Sequence, residues 1–203
     1  MSFLPKDCLC FDIGANIGQT AHQLVTEGAG HVISVEPCIE NYLVCARRPK
    51  TTALLAACWS QAGIMEVSYA FNEPGWSSVK PQKWVKAYPD ARWGPPQPVV
   101  AITLDMLREK YGEPFLIKVD VEGQEKEVLL GLSKPSPFLI FEFHGMFVED
   151  ALDCLSICQK LGYTKAHYVR ENLDLATVPT TPIDEFRKRW LDDAPEWGNI
   201  TLV

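Results

Sequence analysis

No stretch of this 203-residue chain holds 18 consecutive apolar residues, so no membrane-spanning helix is expected. The N-terminus lacks the basic flank and apolar core of a secretory signal, because Pro5, Lys6 and Asp7 interrupt it early. Positive charge is scarce. Lys and Arg number 19 against 26 Asp and Glu, and the net charge of −7 speaks against a general role on nucleic acid or an anionic membrane. The seven cysteines, at positions 8, 10, 38, 45, 58, 154 and 158, contain no Cys-x-x-Cys pair and no zinc-finger spacing. Most lie in apolar company, as Cys10 does between Leu9 and Phe11, and read as reduced, buried thiols of a cytoplasmic protein. No internal repeat is visible.

What is present is an ordinary globular composition, 47% hydrophobic and 22% charged, on a length that fits one domain spanning 1–203. Apolar strands alternate with amphipathic helices. Strands are expected at 8–13, 31–35, 53–58, 115–120, 138–144, 165–170 and 199–203, with 64–71 and 99–102 as a further pair. Helices are expected after Asn16 as cap, over 39–48, from Thr103 to Gly112, over 122–132 and 147–161, and after Thr181-Pro182 as cap and first turn. Repeated βα units of this kind imply an α/β fold, with a mostly parallel sheet covered by helices on both faces.

The most informative segment is Phe11-Asp12-Ile13-Gly14-Ala15-Asn16-Ile17-Gly18. An apolar strand ends in a tight, small-residue turn, and a helix follows. The next strand ends in Glu36-Pro37, with Glu36 eighteen residues past Gly18. In open α/β sheets ligands bind outside the carboxyl ends of the strands. Glycines let main chain approach a ligand, the free N–H groups of a helix start favour an anion, and a carboxylate at Glu36 suits two ribose hydroxyls. A dinucleotide site would want G-x-G-x-x-G, but Asn16 stands where the middle glycine belongs. Asp12 repels phosphate and suits a cationic ligand. S-adenosylmethionine, with a sulfonium, an ammonium, a carboxylate and a ribose, matches Asp12, the turn amides and Glu36.

One segment breaks the rhythm. Residues 72–98 hold six prolines and Trp76, Trp84 and Trp93, half the tryptophans of the chain. Four cations, Lys80, Lys83, Lys86 and Arg92, face two acids, Glu73 and Asp90. Irregular stretches beyond ~12–15 residues are usually functional or disordered. The stretch reads either as a lid or acceptor-binding loop, or as a proline-rich cover that packs its tryptophans on the domain or on a second subunit.

Asp12-Ile13-Gly14-Ala15-Asn16-Ile17-Gly18, Val35-Glu36-Pro37, Thr103-Leu104-Asp105 and above all Ile117-Lys118-Val119-Asp120-Val121-Glu122-Gly123-Gln124-Glu125 resemble the FkbM family of S-adenosylmethionine-dependent methyltransferases. The resemblance spans roughly residues 9–144. It implies a single-domain, Rossmann-like class I methyltransferase with a seven-stranded sheet whose last strand is inserted antiparallel. It also implies methyl transfer, commonly to a hydroxyl of a sugar or natural product. By the same resemblance Gly14, Asn16 and Gly18 line the methionine end, Glu36-Pro37 holds the ribose, and Cys58 and Trp59 flank adenine. Gly75-Trp76-Ser77-Ser78 is similar to the family's small-Ser-Ser stretch, which assigns Trp76, Ser77 and Ser78 to the acceptor; Trp76 and the long loop after it depart from the family pattern.

Strand alternation adds a second half to the site. Lys118 and Asp120 share one face of their strand, and Glu142 and His144 share one face of the next. A lysine in an apolar strand needs a carboxylate partner, Glu142 or Asp12. Asp120 and His144 end their strands towards the crevice, and one of them is the expected general base. Glu122 joins them, or only favours the start of its helix. Asp120, Glu142 and His144 form a candidate set for a divalent metal, as in some O-methyltransferases, but their spacing has no dedicated ligand motif and no metal is expected. The expected partner is a small-molecule acceptor, with a carbohydrate as one candidate and self-association left open. An N-methyltransferase, a nucleotide-dependent oxidoreductase and a non-catalytic cofactor-binding module remain as alternatives.

Overall fold

The computed structural model describes residues 4–72, 77–79, 81, 84–85, 88–169, 180–192 and 195–203. Two sheets organise them. The strands are β1 (Leu9–Ile13), β2 (His31–Glu36), β3 (Thr51–Leu55), β4 (Ala57–Cys58), β5 (Gly63–Tyr69), β6 (Ser77–Ser78), β7 (Gln97–Ile102), β8 (Leu116–Val119), β9 (Phe138–His144), β10 (Lys165–Val169), β11 (Thr181–Pro182) and β12 (Trp197–Leu202). The helices are α1 (Gln19–Thr26), α2 (Ile39–Cys45), α3 (Leu104–Tyr111), α4 (Glu125–Leu129), α5 (Val148–Leu161) and α6 (Ile183–Asp192).

The large sheet runs β11-β10-β12-β9-β8-β1-β2-β3. Its centre is parallel, and β12 lies antiparallel between β9 and β10. This is the expected seven-stranded methyltransferase order with its inserted antiparallel strand, extended at one edge by the two residues of β11. Side-chain alternation sends Phe11, Ile13, Ile33, Val35, Ile117 and Val119 to one face, where Leu104, Leu107, Val128 and Leu155 pack on them. Cys10, Val32, Leu116 and Ile140 go to the other face, under Ala21 and Leu24 of α1. Strand β8 is buried throughout, so each of its side chains must be apolar or paired. All seven cysteines are free, and five of them are buried.

The second sheet, β4-β7-β5-β6, is built where the expected strand 53–58 divides. Residues Thr51–Leu55 pair with β2, the chain bends at Ala56, and Ala57–Cys58 pairs with β7 instead. The bend carries Cys58 and Trp59 over the end of the large sheet. The expected pair 64–71 and 99–102 forms as β5 and β7, antiparallel.

Helix boundaries shift for local reasons. Asn16 is not a cap: it adopts φ 49°, and Gly18 at φ 76° precedes α1 without a side-chain cap. Thr103 does cap α3, accepting the Met106 N–H at 3.1 Å. The helix expected over 122–132 begins only at Glu125, because Glu122 (φ 55°) and Gly123 (φ 85°) are left-handed. Thr181-Pro182 pairs with β10 rather than capping, and α6 starts after it. Helix α2 stops at Cys45, and a 3-10 turn over Gly145–Phe147 precedes α5. Among the described residues no helix is long and apolar enough to cross a membrane.

Candidate functional site

A cleft of about 770 Å³, counted to its open mouth, lies at the carboxyl ends of β1, β2, β8 and β9 beneath the small sheet. It sits where the strand order reverses between β1 and β8, the place where such sheets open a crevice.

One end is made largely by main chain. The N–H groups of Gly14 and Ala15 both donate to the Val35 carbonyl, at 2.9 and 3.0 Å. Gly14 is at φ 78°, and a β-carbon there would overlap the Asp120 carbonyl oxygen, so only glycine fits. Asn16 turns its N–H onto Glu36 Oε2 at 2.8 Å, and the Cys38 N–H reaches Glu36 Oε1 at 2.8 Å. The two donors fix a carboxylate that is 3% exposed yet lines the cleft. Burial pushes the Glu36 carboxyl up, and these N–H bonds oppose the shift. Each Glu36 oxygen keeps acceptor capacity for a ligand hydroxyl, so a ribose diol fits this donor set. Ala56, Ala57, Cys58, Trp59, Met65 and Val67 supply an apolar wall suited to a flat base, with Pro37 beside them.

Two residues expected at this end do not line the cleft. Gly18 faces away: a β-carbon there would meet Arg48 Cγ at 2.9 Å and Cys45 Sγ at 3.0 Å, so this glycine lets α1 pack against the end of α2. Asp12 is 1% exposed beneath the turn, in register with Lys118. Burial pushes its carboxyl up to about 7, with Lys118 pulling the other way.

The other end is made by side chains. Lys118, 4% exposed, pairs with Asp120 at 3.1 Å, not with Glu142 or Asp12 as expected. Burial alone would lower the Lys118 pKa, but Asp120 and Glu142 outweigh it and hold the ammonium charged. Asp120, Glu122 and Glu142 converge on the cleft. Burial pushes Asp120 up to about 6 against Lys118, with Glu142 adding to the rise. Burial also drives Glu122 well up, and its carboxylate neighbours Asp120 and Glu142 reinforce this. Glu142 resists its own burial and stays low, because His144 and Lys118 favour its charged form.

His144 stands behind this group. Its Nε2 lies 3.2 Å from Glu142 Oε2 and 3.9 Å from Glu122 Oε2, and it does not line the cleft itself. Trp84 covers it from the inserted segment. The indole is 1% exposed, donates from Nε1 to the Glu122 carbonyl at 3.0 Å and sits edge-on to His144 at 4.7 Å. Ser77 and Ser78 line the cleft, while Trp76 falls outside the described residues.

The structure thus brings together Gly14, Asn16, Glu36, Pro37, Cys58, Trp59, Ser77, Ser78, Asp120 and Glu122, and leaves Asp12, Gly18 and His144 off the wall. Sequence reasoning missed Met65 and Val67, whose shared strand face was the available signal, and Gln124. It also gave Glu142 only as a candidate partner for Lys118, although Glu142 lines the cleft. Nothing in the sequence distinguishes Trp84 from its neighbours.

The methyltransferase FkbM domain matches residues 12–166 of this chain. Methyltransferase sdnD of Sordaria araneosa is 30% identical over 162 residues, covering 64% of this chain and 62% of that protein, so the chain spans less than two thirds of that relative's length. Two solved structures share the fold at low identity. A precorrin-6y C5,15-methyltransferase from Geobacter metallireducens has a TM-score of 0.52 at 8% identity, over 100% of this chain and 82% of that one. A TehB-like SAM-dependent methyltransferase from Corynebacterium glutamicum has a TM-score of 0.51 at 10% identity, over 100% and 83%. With this match over residues 12–166, the class I strand order and a cleft whose donors fit the ligand, the chain belongs to the methyltransferase FkbM domain family, and its cofactor is S-adenosylmethionine.

Proposed function

We propose that this protein transfers a methyl group to a hydroxyl of a small molecule, a sugar or natural product, by in-line displacement. Bound S-adenosylmethionine supplies a methyl group activated by its sulfonium. Glu36 holds the ribose hydroxyls, the wall from Ala56 to Val67 takes the base, and the Gly14–Asn16 turn keeps side chains away from the amino-acid end. Ser77 and Ser78 face the acceptor side. Asp120 takes the hydroxyl proton, because it opens on the cleft while His144 is held behind Glu142. Alignment of acceptor and methyl group supplies much of the acceleration, and proton removal typically contributes ~10²–10⁴-fold.

The observation that carries this reading is the meeting of Asp120, Glu122 and Glu142 on the cleft wall. An oxygen acceptor must shed its proton as it attacks, and these carboxyls offer a place for it. A nitrogen acceptor needs only desolvation and positioning, which would leave so many carboxyls without a task. Asn16 in the turn argues against a dinucleotide-dependent oxidoreductase. Unpaired thiols suit a reducing, cytoplasmic setting.

The test is a screen of hydroxylated acceptors with methyl-labelled donor, paired with calorimetry of S-adenosylhomocysteine. Asp120→Asn is expected to lose at least 100-fold in turnover while its cofactor affinity stays within about threefold. Undiminished turnover in that variant removes Asp120 as base. Binding of NAD in place of S-adenosylhomocysteine removes the reading altogether.

A further inference from the structure

Glu122, Glu142 and His144 bring one donor atom each to within 4.8 Å of one another. Among the described residues two of those atoms have no hydrogen-bond partner. Glu122 Oε2 and His144 Nε2 are shielded from solvent and aim into the same space, and the 3.2 Å approach of His144 Nε2 to Glu142 lacks hydrogen-bond geometry. Buried polar atoms are rarely left this way, and each such atom calls for an explanation. The local charge points the same way. Lys118 pairs with Asp120 and shares its single charge with Glu142, so the carboxyls of Asp120, Glu122 and Glu142 outnumber it.

We propose that Glu122, Glu142 and His144 form a binding site for one divalent cation of the Mn²⁺ class. Two carboxylates and one imidazole are an oxygen-rich donor set with one nitrogen, which suits Mn²⁺ better than soft metals. Three donors on one face of an octahedron around such an ion lie about 3 Å apart. The His144–Glu142 approach of 3.2 Å is already there, Glu122 stands 3.9 Å from His144, and all three donors lie within 4.8 Å, so the set needs to close by under about 2 Å. Glu122 is placed for this by its left-handed backbone and by the Trp84 indole on its carbonyl. Glu122 and Glu142 line the cleft and His144 does not, so the ion sits in the cleft floor with its free positions towards the acceptor. There it lowers the pKa of an acceptor hydroxyl next to Asp120. It also gives His144 a role that its place behind the wall denies it as a base. No ligand spacing announces the site in the sequence, because Glu122 comes from the loop after β8 and the other two from the end of β9.

The ion's part in methyl transfer rests on the function proposed above; its binding does not. Mn²⁺ alone is titrated into the full chain, and free Mn²⁺ is followed by electron paramagnetic resonance. The wild type is expected to take up one equivalent. Glu122→Gln and His144→Ala should weaken uptake at least tenfold, and Glu185→Gln on the exposed face of α6 should leave it unchanged. In the wild type, Mn²⁺ should broaden the ring signals of His144 and spare those of His22 and His31, a readout that holds even if a variant does not fold. Absence of uptake at millimolar Mn²⁺, equal uptake by folded His144→Ala, or unbroadened His144 signals overturn the site. S-adenosylhomocysteine affinity, measured on the same samples, reports separately on the cofactor cleft: its loss in the wild type sinks that reading and leaves the Mn²⁺ result to stand alone.

Discussion

The two ends of the cleft are built in opposite ways. At the Gly14–Glu36 end, main chain sets the geometry: a turn that tolerates no β-carbon, and a carboxylate clamped by two N–H groups. At the Asp120–His144 end, side chains set it: three carboxyls, one lysine and one histidine from two neighbouring strands and a loop. A main-chain site is stiff and accepts one ligand shape. A side-chain site is tuned by charge and can be redirected by single substitutions. On the function proposed above, cofactor recognition and acceptor chemistry can therefore change independently on one scaffold.

Substitutions at each end should fail differently. The largest effect is expected for Gly14→Ala, which combines overlap on the Asp120 carbonyl with a left-handed φ of 78°. It should cost more than about 4 kcal/mol of folding stability, read by denaturant titration. A variant that folds as the wild type does would show that the turn is not rigid.

Next is Lys118→Met at the side-chain end. Removing the ammonium leaves Asp120 beside Glu142 with no fixed positive charge. The expected loss is about 2–3 kcal/mol, below that of a wholly enclosed pair because Asp120 opens onto the cleft. Methyl transfer should fall with it, while S-adenosylhomocysteine affinity changes little. A parallel loss of cofactor affinity would erase the distinction between the ends.

A smaller, pH-dependent effect comes from Glu125. Its Oε1 accepts the N–H groups of Val121 at 3.0 Å and Gly123 at 3.2 Å and so shapes the loop that carries Glu122. Burial pushes this carboxyl up to about 7, against those bonds. The folded state therefore binds the proton more tightly than the unfolded chain. The associated stability is full below the unfolded pKa near ~4.3 and is lost as pH rises through about 7. Glu125→Gln keeps the accepting oxygen and removes the titration. Between pH 5 and pH 8 the wild type should lose on the order of 2 kcal/mol that the variant retains, read as the difference between their unfolding curves. Parallel curves would show that Glu125 titrates normally.

The same contrast explains what the sequence made legible. The Gly14 turn and Glu36 stand next to one another in the chain's βαβ unit, and their spacing follows from one helix length, so this half of the site could be read directly. So could β5, β7 and β12 as strands, from their apolar runs, whereas the antiparallel insertion of β12 was implied only by the family resemblance. Asp12 and Gly18 belong to the same motif, yet they face Lys118 and the end of α2 respectively, because which side of a turn a residue takes depends on what packs behind it. The acid end was half legible. Alternation placed Lys118 with Asp120 and Glu142 with His144 on shared faces, but only tertiary structure decided that Lys118 pairs within its own strand. Trp84 was legible only as one of three tryptophans in the inserted segment, since its partner lies 38 residues away and no local period marks it.

On the function proposed above, Glu36 and the Gly14 turn hold the nucleoside of S-adenosylmethionine. Calorimetric titration of S-adenosylhomocysteine into the wild type and into Glu36→Ala, each shown to be folded by its melt, tests it most directly. One-to-one binding by the wild type is expected, with affinity reduced about 100-fold in the variant, as befits hydrogen bonds to a charged acceptor worth about 2–3 kcal/mol. Equal affinity in the two proteins, or no binding by the wild type, would contradict the account.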